Sequence, residues 1–207
     1  MTKQSVKERI LETALDLFHE KGYHGVTIDE IVEAAQTSKG GFYHNYKSKD
    51  ALLYEIHDVF ISVVLKKTKE AYDTHETPIE KVVAMLYAFT YVFDYYQRHI
   101  TVFYNEGTYL PDEYKEVINE KRTEYQKLIE QVISDGVEFG SFRKEISTSM
   151  TTMAIIGLVN WTYKWYRQSG PMTMQQITSY FNDIILRGIV TKEGYEEALK
   201  QQLLIIE

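Results

Sequence analysis

Residues 27–53 hold the pattern that most restricts how this chain can fold. The segment reads TIDEIVEAAQTSKGGFYHNYKSKDALL, in which Thr27 and Glu30 have the spacing of a capping box. Apolar residues then recur at helical spacing as far as Ala35, and Ser38 is a good N-cap for a second helix over residues 39–45. Two short helices joined by a turn of about three residues are typical of a helix-turn-helix, whose second helix enters the major groove of DNA.

The second of these helices has the chemistry that contact with DNA requires. Residues 36–49 include Lys39, His44, Lys47 and Lys49 and no acidic residue. The whole chain has a net charge of −7, but phosphate contacts are local, so the basic segment outweighs the total charge. The alternative is a short capped helix whose basic face is only solvated.

Two adjacent glycines, Gly40 and Gly41, also distinguish this helix. Each glycine destabilises a helix by roughly 1 kcal/mol relative to alanine. We therefore interpret the pair as a place where the backbone comes close to another body, such as the edge of a duplex.

The rest of the sequence predicts helices only. Ser5, Ser48, Thr77-Pro78, Pro111 and Thr173 mark helix N-termini, and a further helix is expected over Met150–Arg167. No alternating strand pattern, internal repeat or low-complexity segment interrupts them. We therefore predict an all-α protein in which an N-terminal three-helix unit precedes a larger helical bundle. The tail, residues 191–207, is expected to add one or two further turns of helix.

Composition excludes several classes of protein. The chain has no cysteine, so it has no disulfide, thiolate nucleophile or cysteine zinc site. No apolar run is long enough to span a bilayer and the N-terminal segment lacks the apolar core of a signal peptide, so we expect a cytoplasmic location without a membrane partner. The six histidines have no metal-ligand spacing, and no phosphate loop or catalytic motif is present. We expect no metal, no cofactor and no enzymatic activity.

The N-terminal region resembles the TetR family of bacterial transcriptional repressors. The residues that match the family pattern lie between positions 5 and 55, and they are Gly22, Tyr23, Val26, Thr27, Ile28, Ile31, Ala34, Ala35, Ser38, Lys39, Gly40, Phe42, Tyr43, Tyr46, Lys49, Leu52 and Leu53. There are two mild departures. The usual Ala-Gly-Val-Ser turn is replaced by Gln36-Thr37-Ser38, and the usual Phe before the last lysines is Tyr46.

This resemblance implies a helix-turn-helix DNA-binding domain over residues 1–47 and a ligand-binding and dimerisation domain over residues 48–207. Carried over position by position, it also implies a set of DNA contacts. The residues expected to contact phosphates or base edges are Thr27, Thr37, Ser38, Lys39, Gly40, Gly41, Tyr43, His44, Lys47 and Lys49. Phe42 and Tyr46 are expected to pack inward instead.

The middle of the chain is rich in aromatic residues, with eleven between Tyr87 and Tyr125. Core packing explains part of this, but so many rings exceed what one helix face can bury, and each buried tyrosine hydroxyl needs a partner. Pockets for mainly apolar ligands are lined in this way, so we predict a ligand cavity between these helices. The residues of this region assigned to the cavity or its rim are Phe89, Phe93, Arg98, Phe103, Tyr104, Arg122 and Tyr125.

A second aromatic segment, residues 160–167, resembles the corresponding helix end in family members that respond to acyl-CoA thioesters. Trp161 and Trp165 share a helix face that an adenine could stack on, and Lys164 and Arg167 could meet phosphates. We therefore add these four residues to the predicted ligand site. The alternative is that the segment packs in a dimer interface.

Dimerisation is expected through the last two long helices, where apolar residues recur at helical spacing. The residues of the predicted interface are Ile155, Ile156, Val159, Tyr180, Phe181, Ile184 and Ile185.

Together these features predict a ligand-responsive repressor that binds a palindromic double-stranded DNA operator as a homodimer. A small hydrophobic effector, a fatty acyl-CoA before other candidates, is expected to release it. A repressor that responds to hydrophobic drugs is the alternative within the same class. A lipid carrier or enzyme that does not bind DNA is the alternative from another class, and it would need convergent catalytic groups that the sequence does not show.

Overall fold

The computed structural model describes residues 4–205, and most of them are helical. The helices of this part of the chain are α1 (Val6–Lys21), α2 (Ile28–Ala34), α3 (Lys39–Asn45), α4 (Lys49–Thr74), α5 (Pro78–Tyr95), α6 (Gln97–Glu106), α7 (Asp112–Glu138), α8 (Thr148–Trp165), α9 (Met174–Ile189) and α10 (Lys192–Lys200). A single 3-10 turn, Gly107–Tyr109, follows α6. The predicted all-α fold is confirmed, and within residues 4–205 sheet-type pairing is limited to one antiparallel bridge between Phe142 and Val190.

Helix ends follow the predicted capping residues closely. Ser5 with Glu8, Thr27 with Glu30, and Thr173 with Gln176 form reciprocal capping boxes. The helix predicted over Met150–Arg167 differs slightly from the observed α8. It begins at Thr148 because the side chain of Ser147 caps it, and it ends at Trp165 because the next residue is extended.

The helices form two compact units. Unit 1 extends as far as Ser62 and also includes Tyr96–Glu120, and unit 2 consists of Val63–Tyr95 and the described residues from Lys121 onward. Unit 1 therefore contains the helix-turn-helix, the first half of α4, and α6. The functional boundary at residue 47, at the end of the helix-turn-helix, stays a prediction.

Unit 1 has its own apolar core, in which α1, α2 and α3 meet the beginning of α4. Phe18, Ile31, Phe42 and Leu52 are fully or almost fully buried there, and the ring of Tyr46 is buried beside that of Phe42. The expected inward packing of Phe42 and Tyr46 is therefore observed.

In unit 2, α5 lies along α9 in the opposite direction. The hydroxyl groups of Thr90 and Thr178 are hydrogen-bonded to each other, and Tyr87 is hydrogen-bonded to Ser179 at 2.9 Å. Since the residue number falls on α5 as it rises on α9, these two contacts define an antiparallel register.

The connection after α7 explains a glycine in that helix. A Cβ atom on Gly136 would lie 2.0 Å from the ring of Phe142, which packs directly on the α7 backbone. Phe142 is 1% exposed and pairs with Val190, so this contact fixes the chain between α7 and α8 against the end of α9. Among residues 4–205, no helix has the length and hydrophobicity that crossing a membrane requires.

Candidate DNA-binding and ligand-binding sites

Helix α3 has one buried and one exposed face. Phe42 is fully buried, whereas its neighbour Tyr43 is 55% exposed. Lys39, His44 and the following Lys47 are also exposed. The helix thus presents positive charge and one aromatic ring to solvent while its other face holds the unit together.

The two glycines of α3 have different surroundings. A Cβ atom on Gly41 would lie 2.5 Å from Oγ1 of Thr37, so a contact within the chain explains the lack of a side chain there. The equivalent atom on Gly40 would meet only Oγ of Ser38, at an ordinary 3.7 Å. Close approach of an external partner to the backbone therefore remains the explanation for the missing side chain only at Gly40.

Several of the predicted DNA contacts are engaged within the helix-turn-helix, among them Lys39 and Thr27. Nζ of Lys39 lies 2.8 Å from a carboxylate oxygen of Asp29, and this ion pair raises the pKa of Lys39. Both side chains are mostly exposed, and an exposed ion pair contributes little to stability, so Lys39 can exchange Asp29 for a phosphate at low cost. The hydroxyl of Thr27 accepts from the backbone N–H of Glu30 and donates to its carboxylate.

Lys49 occupies a more enclosed position than the sequence suggested. Its Nζ donates to the carbonyl oxygens of Tyr23 at 2.9 Å and Val26 at 2.7 Å, and it lies 4.1 Å from the centroid of the Tyr23 ring. Burial lowers the pKa of this lysine. The ammonium group joins the start of α4 to the connection between α1 and α2, a structural role that the charge pattern could not reveal.

Tyr23 is the centre of this connection. Its hydroxyl donates to Asp50, and its backbone N–H donates to Oε2 of Glu106 at 3.0 Å. Burial, followed by the bond to Asp50, raises the pKa of the Tyr23 hydroxyl above its usual range. Neither Asp50 nor Glu106 was singled out from the sequence, because the contacts join residues far apart along the chain.

A narrow apolar cavity lies in unit 2 between α5, α7 and α8. Its volume is about 10 Å³, which is about the space of one water molecule. The residues that line it are Val82, Met85, Leu86, Phe89, Tyr125, Ile129, Ile155 and Val159. Phe89 and Tyr125 were assigned to the ligand site from the sequence, whereas Ile155 and Val159 were assigned to the dimer interface.

The other predicted ligand residues do not share this cavity. Phe93 is buried in unit 2 against Phe89, but Phe103 and Tyr104 belong to unit 1, where both rings contact Phe60. Arg98 also belongs to unit 1. Its guanidinium pairs with Asp16 and Glu12 of α1, so in this structure the charge of Arg98 is engaged within unit 1.

The basic and tryptophan side chains that were predicted to bind the nucleotide end of the ligand are exposed to solvent. Arg122 is on the surface of α7, and Trp161, Lys164, Trp165 and Arg167 are exposed at the end of α8. Nζ of Lys164 lies 4.7 Å from the ring centroid of Tyr163, and Arg167 donates to backbone carbonyl oxygens in the same turn.

The apolar side chains that α8 exposes to solvent are not the ones predicted for the dimer interface. Ile155 is 5% exposed and Val159 is 4% exposed, and Ile185 of α9 is likewise buried within its own chain. Ile156 and Phe181 are half-buried. The large apolar residues that α8 and α9 expose are Met150, Met153, Trp161, Trp165, Tyr180 and Ile184.

An open groove of unit 2 was not predicted at all. It has a volume of about 800 Å³ and lies between the end of α4, the start of α5 and residues 201–203. Its walls combine small apolar side chains such as Ala71, Val83 and Ala84 with polar ones such as His75. Within residues 4–205, no group of histidine, aspartate and glutamate side chains could hold a metal ion.

Comparison with known proteins places this arrangement in a family. The family described as "Tetracyclin repressor-like, C-terminal domain" matches residues 75–189, and "Bacterial regulatory proteins, tetR family" matches residues 10–56. The chain belongs to the TetR family of transcriptional regulators, as its N-terminal motifs predicted.

Two relatives illustrate the similarity. The HTH-type transcriptional repressor KstR2 of Mycobacterium tuberculosis is 25% identical over 191 residues, which cover 92% of this chain and 95% of that protein. The solved structure of the ketosteroid transcriptional regulator KstR2 from the same organism has a TM-score of 0.83 at 23% identity and covers 91% of this chain and 97% of that chain. AibR, solved in complex with isovaleryl coenzyme A and operator DNA, has a TM-score of 0.78 at 23% identity and covers 87% of this chain and 97% of that chain.

Proposed function

We propose that this protein is an effector-responsive transcriptional repressor that binds a palindromic operator as a homodimer. The observation that carries the proposal is the exposed basic face of α3, held rigidly by the buried Phe42 in a chain of the TetR family. Lys39, Tyr43, His44 and Lys47 supply the DNA contacts in this proposal, and Thr37, Ser38 and Gly40 lie close enough in sequence to add backbone and hydroxyl contacts. Thr27 and Lys49 contribute mainly by holding the helices in place through the internal hydrogen bonds described above.

The proposed dimer uses the exposed apolar faces of α8 and α9. Trp161 is 63% exposed and Ile184 is 60% exposed, an unusual exposure for such large apolar side chains. Two copies related by a twofold axis would bury these faces in a four-helix contact. Such a dimer would present its two α3 helices to half-sites about 34–36 Å apart, the spacing of successive major grooves.

The proposed effector is a fatty acyl-CoA whose acyl chain enters the apolar cavity beside Phe89 and Tyr125. A cavity of about 10 Å³ is too small for an alkyl chain, so binding requires α5, α7 and α8 to separate. The effector then favours a different conformation, and repression is relieved to the extent that this conformation disfavours operator binding. AibR, which shares the fold, was solved with isovaleryl coenzyme A and operator DNA, and this supports a thioester as the effector class.

Operator release by a chain-length series of acyl-CoAs tests the proposal. Each added methylene that becomes buried contributes roughly 0.8 kcal/mol, so the concentration for half-release should fall about four-fold per carbon until the cavity is full. The matching free fatty acids and a set of planar cationic drugs serve as controls. Release by the drugs alone, or equal release by fatty acids and their CoA esters, would reject the thioester.

A further inference from the structure

One buried amide in unit 2 has no hydrogen-bond partner among residues 4–205. Asn182, on α9, is 2% exposed, and neither its Nδ2 nor its Oδ1 is hydrogen-bonded within this part of the chain. A buried amide without partners loses its hydrogen bonds to water and gains nothing in return. Such groups are rare in native interiors, and each one calls for an explanation.

The register of α5 and α9 puts this amide next to the apolar cavity. Thr178 is hydrogen-bonded to Thr90 across the two antiparallel helices. Asn182 follows one turn later on α9, and Leu86 precedes by one turn on α5, so the two positions lie opposite each other. Leu86 lines the cavity and Asn182 does not, so a ligand held there would reach the amide past the side chain of Leu86.

We propose that Asn182 selects effectors whose otherwise apolar chain carries an oxygen-containing group, either a carbonyl or a hydroxyl. This inference rests on the proposed function, because it requires a ligand between α5, α7 and α8. A carbonyl would accept from Nδ2, and a hydroxyl could also donate to Oδ1. A saturated chain would leave the amide unpaired, so the protein discriminates against it in favour of an oxygenated chain of equal length.

The stability of two variants tests the state of the amide itself. Asn182→Leu replaces both unpaired polar atoms with methyl groups on a side chain of the same length and branching, so the thermal midpoint of the unliganded protein should rise. Thr178→Val, one turn earlier on the same face, is the matched control. Its hydroxyl is bonded to Thr90 and to the carbonyl of Met174, so this variant should have a lower midpoint than the wild type. A midpoint that falls in both variants would show that Asn182 is already satisfied and would overturn the proposal.

Small probes then test the selectivity. Hexane, 2-hexanone and 1-hexanol are each titrated against the wild type and Asn182→Leu, with the rise in thermal midpoint as the measure of binding. The ratio of hexanone to hexane affinity should fall about ten-fold in the variant, which corresponds to the loss of one hydrogen bond. An unchanged ratio would overturn the role of Asn182 while leaving the cavity as a ligand site. If none of the probes stabilises the wild type, the ligand site proposed between α5, α7 and α8 fails, and the inference fails with it.

Discussion

At the scale of the residue, the turn between α2 and α3 contains a strained backbone. Gln36 has a φ of 51°, in the left-handed region that residues with a Cβ atom rarely adopt. The usual family turn, Ala-Gly-Val-Ser, has glycine at this point, where a positive φ causes no strain. Gln36→Gly should therefore raise the free energy of unfolding by about 1 kcal/mol in urea denaturation. Gln36→Ala keeps the Cβ atom and should give no such gain, so equal stabilisation by both would rule out backbone strain as the cause.

Two lysines close in sequence have different roles in the structure. Lys49 donates to two carbonyl oxygens, so Lys49→Met should lower the free energy of unfolding by about 1–3 kcal/mol. Lys47 is exposed, so Lys47→Met should leave stability unchanged and reduce operator affinity in a salt-dependent way, with the salt slope smaller by about one. Chemical denaturation and operator titration of both variants separate the roles. Unchanged stability of Lys49→Met would contradict the structural role of Lys49.

At the scale of the element, α6 is attached to the helix-turn-helix at both of its ends. Arg98 pairs with Asp16 and Glu12 of α1, and Glu106 accepts the backbone N–H of Tyr23. These bonds make α6 part of unit 1 although more than thirty residues separate it from α3 along the chain. A displacement of α6 would therefore act directly on the connection between α1 and α2.

The link through Glu106 can be tested by hydrogen exchange. Glu106→Leu leaves the Tyr23 N–H without an acceptor and should destabilise the α1–α2 connection by about 1–3 kcal/mol, seen as faster exchange of amides in that connection. Glu106→Gln retains a carbonyl oxygen as acceptor, so its exchange should stay close to that of the wild type. Equal acceleration in both variants would show that the charge of Glu106, rather than its hydrogen bond, is responsible.

At the scale of the whole molecule, the proposed homodimer depends on the exposed apolar faces of α8 and α9. Ile184→Asp places a charge in the centre of the apolar surface, which would cost several kcal/mol if a partner buries it. We expect a monomer at micromolar concentration in analytical ultracentrifugation, together with a large loss of operator affinity. Val6→Asp changes another exposed apolar residue outside this surface and should leave the assembly unchanged. A dimeric, folded Ile184→Asp would reject the interface.

The sequence by itself determined the local structure of this protein. Helix caps, the helix-turn-helix and the inward packing of Phe42 and Tyr46 depend on contacts within a few residues, so spacing and side-chain chemistry predict them. The role of a charged residue was harder to predict. Lys49 and Arg98 look like residues for phosphate, and only the tertiary structure shows that carbonyl and carboxylate oxygens of the same chain hold them.

Tertiary structure also decided which side of each helix faces inward. Helix α8 carries apolar side chains on two different faces, one with Ile155 and Val159, which are buried, and one with Trp161 and Trp165, which are exposed. Helical periodicity identifies both faces but cannot say which one packs within the chain, because burial depends on α5 and α7, distant in sequence. For the same reason the cavity, and the unpaired amide of Asn182 near it, emerge only when the helices are assembled.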